Sequence, residues 1–213
     1  NASTLSAFIL SALRVPVAKH GNYAASGRFG SFDLLEGLEI NVDGGKKELE
    51  RFGRQVHLCF ILAKKIHPAM RHFAAVRKAL GVPTIFNLLG PLLNPADTKI
   101  QIIGTAFPQY MELIAEAAKK IGKKRIIVVS GSDGLDEVTL TGTTKVVELK
   151  DRQINRYTLS PRSFGISACR FEEIQGGTGK ENIRLAREIL QGKSRARHLD
   201  LVLVNSALAL KAF

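Results

Sequence analysis

Cysteine is scarce in this chain, and long apolar runs are absent. The two cysteines, Cys59 and Cys169, lie far apart, which predicts neither a disulfide framework nor a zinc site. No apolar run is long enough to cross a bilayer. The N-terminal segment lacks the basic leader and small-residue cleavage site of a signal peptide. These absences favour a protein of the reducing cytoplasm without a membrane segment.

Acidic residues are few relative to basic ones. The 213 residues include 19 Asp and Glu against 31 Lys and Arg, which gives a formal net charge of +12. This excess predicts a polyanionic partner, either a nucleic acid or a small ligand rich in phosphate. A solvated basic surface without a specific partner explains the same charge, because net charge says nothing about clustering.

The order of apolar runs predicts the fold class. Short apolar runs alternate with segments of helical periodicity, which indicates one α/β domain over residues 1–213, with a central, mostly parallel sheet, some antiparallel strands and flanking helices. Strands are expected at residues 15–18, 60–63, 100–105, 125–130, 144–149 and 153–158, with a tight turn before the last. Helices are expected at residues 4–13, 32–38, 67–80, 110–121, 180–191 and 199–213, and after a cap at Asp43.

Two early segments have the residue types that bind anions. Asn1, Ser3 and Thr4 lie where a helix is predicted to begin, and the free N–H groups of a helix start favour an anion. A plain helix cap explains these residues equally well. Lys19 and Asn22 follow a predicted strand, and loops at the carboxyl ends of strands are where α/β sheets bind ligands. A phosphate is the expected ligand there, with an ordinary turn as the alternative.

Two later segments place charge beside apolar residues. Arg77 lies on a predicted helix that precedes a mostly apolar stretch, and an arginine in this position suits a small aromatic carboxylate. A surface arginine is the simpler alternative. Asp136 and Glu137 follow the strand predicted at residues 125–130. Adjacent carboxylates are good Mg²⁺ ligands when substrate phosphates complete the coordination, although an exposed acidic turn has the same sequence.

Taken together and in this order, these segments resemble anthranilate phosphoribosyltransferases over nearly the whole chain. The stretch TIFNLLGPLLNPA at residues 84–96 is close to a signature of that family. The sequences NAST at 1–4, KHGN at 19–22 and GLDEV at 134–138 are similar to other family motifs. The family also has a small helical domain and a GTGGD loop, which would come before position 1.

The resemblance implies a reaction, its cofactor and its residues. Phosphoribose would pass from phosphoribosyl pyrophosphate (PRPP) to the amine of anthranilate, and pyrophosphate would leave. The implied PRPP-binding residues are Asn1, Ser3, Thr4, Lys19 and Ser31; the implied anthranilate-binding residues are His20, Asn22 and Arg77; the implied Mg²⁺ ligands are Asp136 and Glu137. The resemblance also implies a homodimer.

Two alternatives of other classes remain open at the level of sequence. The first is a non-enzymatic relative that binds nucleic acid through its basic surface, which the charge of +12 favours. The second is a pyrimidine nucleoside phosphorylase, whose related fold also uses a lysine–serine phosphate loop. The KHGN and TIFNLLGPLLNPA stretches fit the phosphoribosyltransferases better.

Overall fold

The computed structural model describes residues 1–24, 29–82 and 84–213, and within residues 71–80 it describes the side chains at positions 72, 73, 76, 79 and 80. The helices are α1 (Ala2–Ala12), α2 (Ser31–Gly37), α3 (Lys46–Val56), α4 (Ala63–Ile66), α5 (Arg71–Leu80), α6 (Ile85–Leu92), α7 (Met111–Lys120), α8 (Gly179–Leu190) and α9 (Arg197–Ala212). The strands are β1 (Val17–Gly21), β2 (Leu58–Leu62), β3 (Ile100–Gly104), β4 (Arg125–Gly131), β5 (Thr144–Lys150) and β6 (Gln153–Leu159). In these ranges, no helix is both long enough and apolar enough to cross a membrane.

The strands form two sheets. β1 pairs with β2 in parallel, and the second sheet has the order β3-β4-β5-β6. β3 and β4 are parallel, whereas β4–β5 and β5–β6 are antiparallel. Asp151 and Arg152 join β5 to β6 with φ angles of 51° and 64°, as a tight two-residue hairpin turn requires. The predicted α/β class, with parallel and antiparallel strands flanked by helices, is confirmed.

The successive apolar residues of β4 are explained by packing on both faces of the strand. Ile126 and Val128 pack into a cluster with residues of α7, while Ile127 and Val129 pack into a second cluster with α1 and α9. Side chains alternate between the two faces of a strand, so a sheet that is covered on both faces requires an unbroken apolar run. Each of these four residues is at most 2% exposed, which places β4 at the centre of the protein.

All seven predicted helices begin between one and four residues from the predicted start. The difference is largest for the helix predicted at residues 67–80, where the short 3-10 helix Pro68–Met70 precedes α5. Two other helices show the reason. α1 begins at Ala2 rather than at residue 4, because the carbonyl of Asn1 accepts the N–H of Thr4 at 3.1 Å and so closes an earlier turn. α3 has Gly45 rather than Asp43 at its N-cap. In neither case does the side chain of the N-cap residue make the cap, so a search for a capping side chain at that position cannot detect it. In α3 the side chain of Glu48 instead accepts the N–H of Gly45 at 2.9 Å.

α6 is a helix that the apolar periodicity did not predict. Its residues are apolar nearly all round, so no face stands out in the sequence. Thr84 is the N-cap of the helix, and its backbone N–H donates to Asn87 Oδ1 at 2.9 Å. Pro91 lies within the last turn, where it shortens the helix.

A buried charge cluster ties the end of α9 to the sheet. Arg125 on β4 forms an ion pair with Glu148 on β5 at 2.7 Å and donates to the carbonyl of Ala212 at 3.1 Å. The hydroxyl of Tyr157 donates to the other oxygen of Glu148 at 2.9 Å. Burial alone would raise the pKa of Glu148, but the hydrogen bonds from Arg125 and Tyr157 outweigh burial and hold it below its ordinary value.

Replacing Glu148 with alanine is therefore expected to lower the free energy of unfolding by about 3 kcal/mol, because it leaves the guanidinium of Arg125 unpaired inside the protein. Because the pKa of Glu148 is lower in the folded state, its stabilisation is present above the unfolded pKa. That stabilisation is lost as the pH falls through the folded value. Urea denaturation at neutral and acidic pH measures both effects.

Glu112→Ala, which breaks the exposed ion pair with Arg156, is the control, and its free energy of unfolding should change little. Equal losses of stability in the two variants would contradict the account.

Candidate functional site

Lys19 connects the first strand to the first helix. The prediction placed it after a strand at residues 15–18, but pairing with β2 continues to Gly21, so Lys19 lies within β1. Its Nζ donates to the Oγ of Ser3, at the start of α1, at 3.1 Å. Burial lowers the pKa of Lys19, while the carboxylates of Glu137 and Asp136 act in the opposite direction. A cation and a hydroxyl at the start of a helix form an arrangement that attracts an anion.

Asp136 and Glu137 face this contact from the loop between β4 and β5. Glu137 Oε1 lies 3.5 Å from the backbone nitrogen of Ser3 and 3.6 Å from that of Asn1. Asp136 is accessible to solvent, yet the surrounding protein limits the hydration of its carboxyl. This partial loss of hydration raises the pKa of Asp136, and the charge of Glu137 adds to the effect. A bound cation would relieve this concentration of negative charge.

The donors fit a magnesium ion that is shared with a ligand. Over the part of the chain that the structure describes, no group of three or more His, Cys, Asp or Glu side chains is arranged to hold a metal. Mg²⁺ usually binds to one or two carboxylates and completes its coordination with water and substrate phosphates. Asp136 and Glu137 can supply the carboxylates, and the anion beside Lys19 can supply the phosphates.

Two residues that the sequence did not single out hold the acidic loop in place. Asp133 accepts hydrogen bonds from the hydroxyls of Thr139 and Thr141, the latter at 2.7 Å, and so closes the loop on itself. Gly104 at the end of β3 lets the loop approach, because a Cβ there would lie 1.6 Å from the carbonyl oxygen of Asp136. An aspartate near threonines indicates a turn, but no local signal pairs Gly104 with a loop 32 positions later.

A cleft of about 1390 Å³ joins these groups. It brings together six of the predicted site residues: Ser3, Lys19, His20, Asn22, Asp136 and Glu137. α6 forms another part of the wall with Phe86, Asn87 and Gly90. The cleft exceeds the roughly 300–1,000 Å³ of a typical small-molecule site, so two small ligands can occupy it together.

His20 presents a polar atom without a protein partner. Its Nε2 is buried, and within the described ranges it has no hydrogen-bond partner. The ring packs edge-on against His67, with centroids 5.3 Å apart. Burial lowers the pKa of His20, and His67 and Lys19 act in the same direction; together they outweigh a hydrogen bond with the Gly90 backbone, which raises it. Asn22 follows β1, and its carbonyl accepts the Ser31 hydroxyl at 3.1 Å.

The remaining predicted residues have different positions. Asn1, Thr4 and Ser31 are not among the described residues that line the cleft. Thr4 is completely buried, and its hydroxyl has no partner in the described chain. Ser31 packs on Gly21, where a Cβ would lie 2.6 Å from the serine Oγ. Arg77 belongs to α5, and its side chain lies outside the described residues.

Fold and site together define an α/β protein whose cleft places a contact between a lysine and a serine next to a pair of adjacent acids. The family model described as "Glycosyl transferase family, a/b domain" matches residues 1–213, and the chain belongs to this family.

Known relatives agree with the resemblance that the motifs predicted. The chain is 44% identical over 212 residues to the anthranilate phosphoribosyltransferase of Desulfitobacterium hafniense (strain Y51), an alignment that covers 100% of this chain and 63% of the relative. The crystal structure of anthranilate phosphoribosyltransferase from Thermus thermophilus is similar with a TM-score of 0.93 and 40% identity, over 100% of this chain and 63% of that one. The Saccharomyces cerevisiae enzyme in complex with PRPP and Mg has a TM-score of 0.89 and 29% identity, over 99% and 59%. The chain thus spans less than two thirds of the length of each relative.

Proposed function

We propose that this chain is the α/β core, and a single domain, of an anthranilate phosphoribosyltransferase. The amine of anthranilate attacks C1 of the ribose of PRPP, the bond from C1 to pyrophosphate breaks, and pyrophosphate leaves. The observation that carries the proposal is the cleft in which the contact between Ser3 and Lys19 faces Asp136 and Glu137. The named relatives support the choice of substrates.

The phosphates of PRPP are assigned to the start of α1 and to β1. Lys19 supplies a positive charge and Ser3 a hydroxyl. The backbone N–H of Ser3, which donates to Glu137 Oε1 at 3.5 Å, lies at the same start of α1, where an anion is favoured. Asn1, Thr4 and Ser31 belong to this group through the resemblance. Negative charge builds up on pyrophosphate in the transition state, and groups positioned in advance stabilise it more strongly than they stabilise the substrate.

Asp136 and Glu137 are assigned to Mg²⁺. When bound, the ion would neutralise the charge that develops on the leaving pyrophosphate. The protein itself positions both substrates and excludes water between them. An aromatic amine is already neutral at physiological pH, so the reaction needs no strong base from the chain.

Anthranilate is assigned to the part of the cleft between β1 and α6. The buried Nε2 of His20 and the side chain of Asn22 offer polar contacts, and Phe86 lies in the same wall. Arg77 would bind the carboxylate, an assignment that comes from the sequence. The complete enzyme is proposed to act in the cytoplasm as a homodimer, as the resemblance implies.

The proposal is tested by incubating the full chain with PRPP, Mg²⁺ and anthranilate and following the loss of anthranilate fluorescence and the release of pyrophosphate in equal amounts. Parallel reactions with pyrimidine nucleosides and phosphate test the nucleoside phosphorylase alternative. Titration with duplex DNA across salt concentrations tests the nucleic-acid alternative, for which binding should weaken steeply with salt. Phosphorolysis, or duplex binding without any reaction of PRPP, would overturn the proposal.

Arg77→Lys and Arg77→Ala are both expected to weaken the use of anthranilate by about ten- to a hundredfold, the value of a lost charge-assisted contact of roughly 1.5–3 kcal/mol. Lysine keeps the charge but cannot grip both carboxylate oxygens at once. The KM for PRPP should stay nearly unchanged, because other residues hold the phosphates. Steady-state kinetics with each substrate varied in turn separates these effects. Normal anthranilate kinetics in both variants, or damage confined to PRPP, would refute the role of Arg77.

A further inference from the structure

Asn205 on α9 forms two hydrogen bonds with the backbone of Val138, the residue that follows Asp136 and Glu137. Its Oδ1 accepts the N–H of Val138 at 2.9 Å, and its Nδ2 donates to the carbonyl of Val138 at 3.0 Å. The same Nδ2 donates to the carbonyl of Leu201, one turn earlier in α9, at 2.8 Å. Val138 is 1% exposed, so one side chain satisfies both polar groups of a buried backbone position.

This contact differs from the others that hold the acidic loop. The hydrogen bonds of Asp133 lie within the loop, whereas Asn205 attaches the loop to a helix. Val138 is joined to Glu137 by a single peptide bond. Any displacement of its backbone therefore moves the carboxylate of Glu137 directly.

α9 also holds the opposite side of the cleft. The hydroxyl of Ser6 on α1 donates to the carbonyl of Val202 on α9 at 3.1 Å, and both residues are buried. α1 carries Ser3, whose backbone nitrogen lies 3.5 Å from Glu137. One helix thus fixes the acidic loop and the start of α1 relative to each other.

We infer that Asn205 is a positioning residue that sets Asp136 and Glu137 in place for a divalent cation. The inference rests on the proposed function, because it assumes that the two acids bind the metal together with PRPP. The amide group of Asn205 is used for Val138 and Leu201. Asn205 also lines the cleft, but both N–H groups of its amide are used for backbone carbonyls and its Oδ1 accepts the N–H of Val138, so its effect on the metal passes through the backbone of Val138.

The test is the affinity of the full chain for Mn²⁺ in the presence of PRPP, measured from the electron paramagnetic resonance signal of free Mn²⁺. Asn205→Ala is expected to weaken Mn²⁺ binding on the order of tenfold, as is typical when a residue that orients metal ligands is removed. The KM for PRPP at limiting Mg²⁺ should rise, and the KM for anthranilate should stay the same. Asn205→Ser, which keeps a small polar group, should show the same changes and serves if the alanine variant does not fold.

Ser206→Ala is the matched control. It removes the buried hydrogen bond from Ser206 Oγ to the carbonyl of Val202, at 2.8 Å on the same helix, without touching the acidic loop. The hydroxyl of Ser6 still donates to that carbonyl, so the attachment of α1 is kept. A variant of Asn205 that binds Mn²⁺ as tightly as Ser206→Ala does would overturn the inference and leave the proposed function intact. A wild-type chain that binds neither Mn²⁺ nor PRPP would overturn both.

Discussion

Replacing Asp136 and Glu137 together with alanine is expected to lower turnover on the order of a hundredfold or more, the loss seen when groups that stabilise transition-state charge are removed. The two carboxylates face the contact between Lys19 and Ser3 across the cleft, so under the proposed function their loss would remove the metal from the position where pyrophosphate leaves. The KM for anthranilate should change little. Steady-state kinetics of the full chain at several Mg²⁺ concentrations provides the measurement.

The chain contains a second pair of adjacent acids that serves as the control. Glu172 and Glu173 lie in the short turn Phe171–Glu173, away from the cleft-lining residues. Glu172→Ala/Glu173→Ala removes the same two charges from the surface and should leave both turnover and its Mg²⁺ dependence unchanged. If the two double variants behaved alike, the acidic pair of the cleft would have no special role.

Gly104→Ala is expected to damage the fold and the site at once. The added Cβ would lie 1.6 Å from the carbonyl oxygen of Asp136, and backbone on both sides of the contact cannot move aside as a flexible side chain can. We expect the free energy of unfolding to fall by about 3 kcal/mol, the upper part of the range for overpacked interiors. Binding of Mg²⁺ with PRPP should weaken in the molecules that remain folded. Urea denaturation and calorimetry measure the two effects.

The same change from glycine to alanine at Gly53 is expected to raise the stability of the protein. Gly53 lies inside α3 with no atom within 4 Å of an added Cβ. Alanine there should raise the stability by about 0.5–1 kcal/mol, because it is the better helix former. A Gly104→Ala protein that is as stable as Gly53→Ala would show that the acidic loop does not depend on the close approach to β3.

The sequence singled out six residues that the structure brings into one cleft, but it did not indicate the contacts that hold them there. Lys19, Asp136 and Glu137 could be singled out because charged residues that follow apolar runs stand out locally. Gly104 and Asn205 could not, since each acts on a loop that is distant in the chain. A pattern in one sequence does not record which distant positions come together.

The same holds for the fold: features with a clear local pattern in the sequence were predicted, and features that depend on distant contacts were not. The tight turn at Asp151 and Arg152 and the buried run of β4 follow from local patterns, and both were predicted. α6 was missed because a helix that is apolar nearly all round has no periodic face. The division of the strands into two sheets depends on pairing between distant segments.

The binding of PRPP with and without Mg²⁺ tests the central claim most directly, because the claim is that Lys19 and Ser3 act together with Asp136 and Glu137 in one cleft. Isothermal titration calorimetry of the full chain is the measurement. The account predicts that PRPP binds in the presence of Mg²⁺ and that its affinity falls by about tenfold or more when EDTA removes the metal. Lys19→Met should weaken binding in both conditions. Equal affinity with and without Mg²⁺, or binding that does not change in Lys19→Met, would contradict the account.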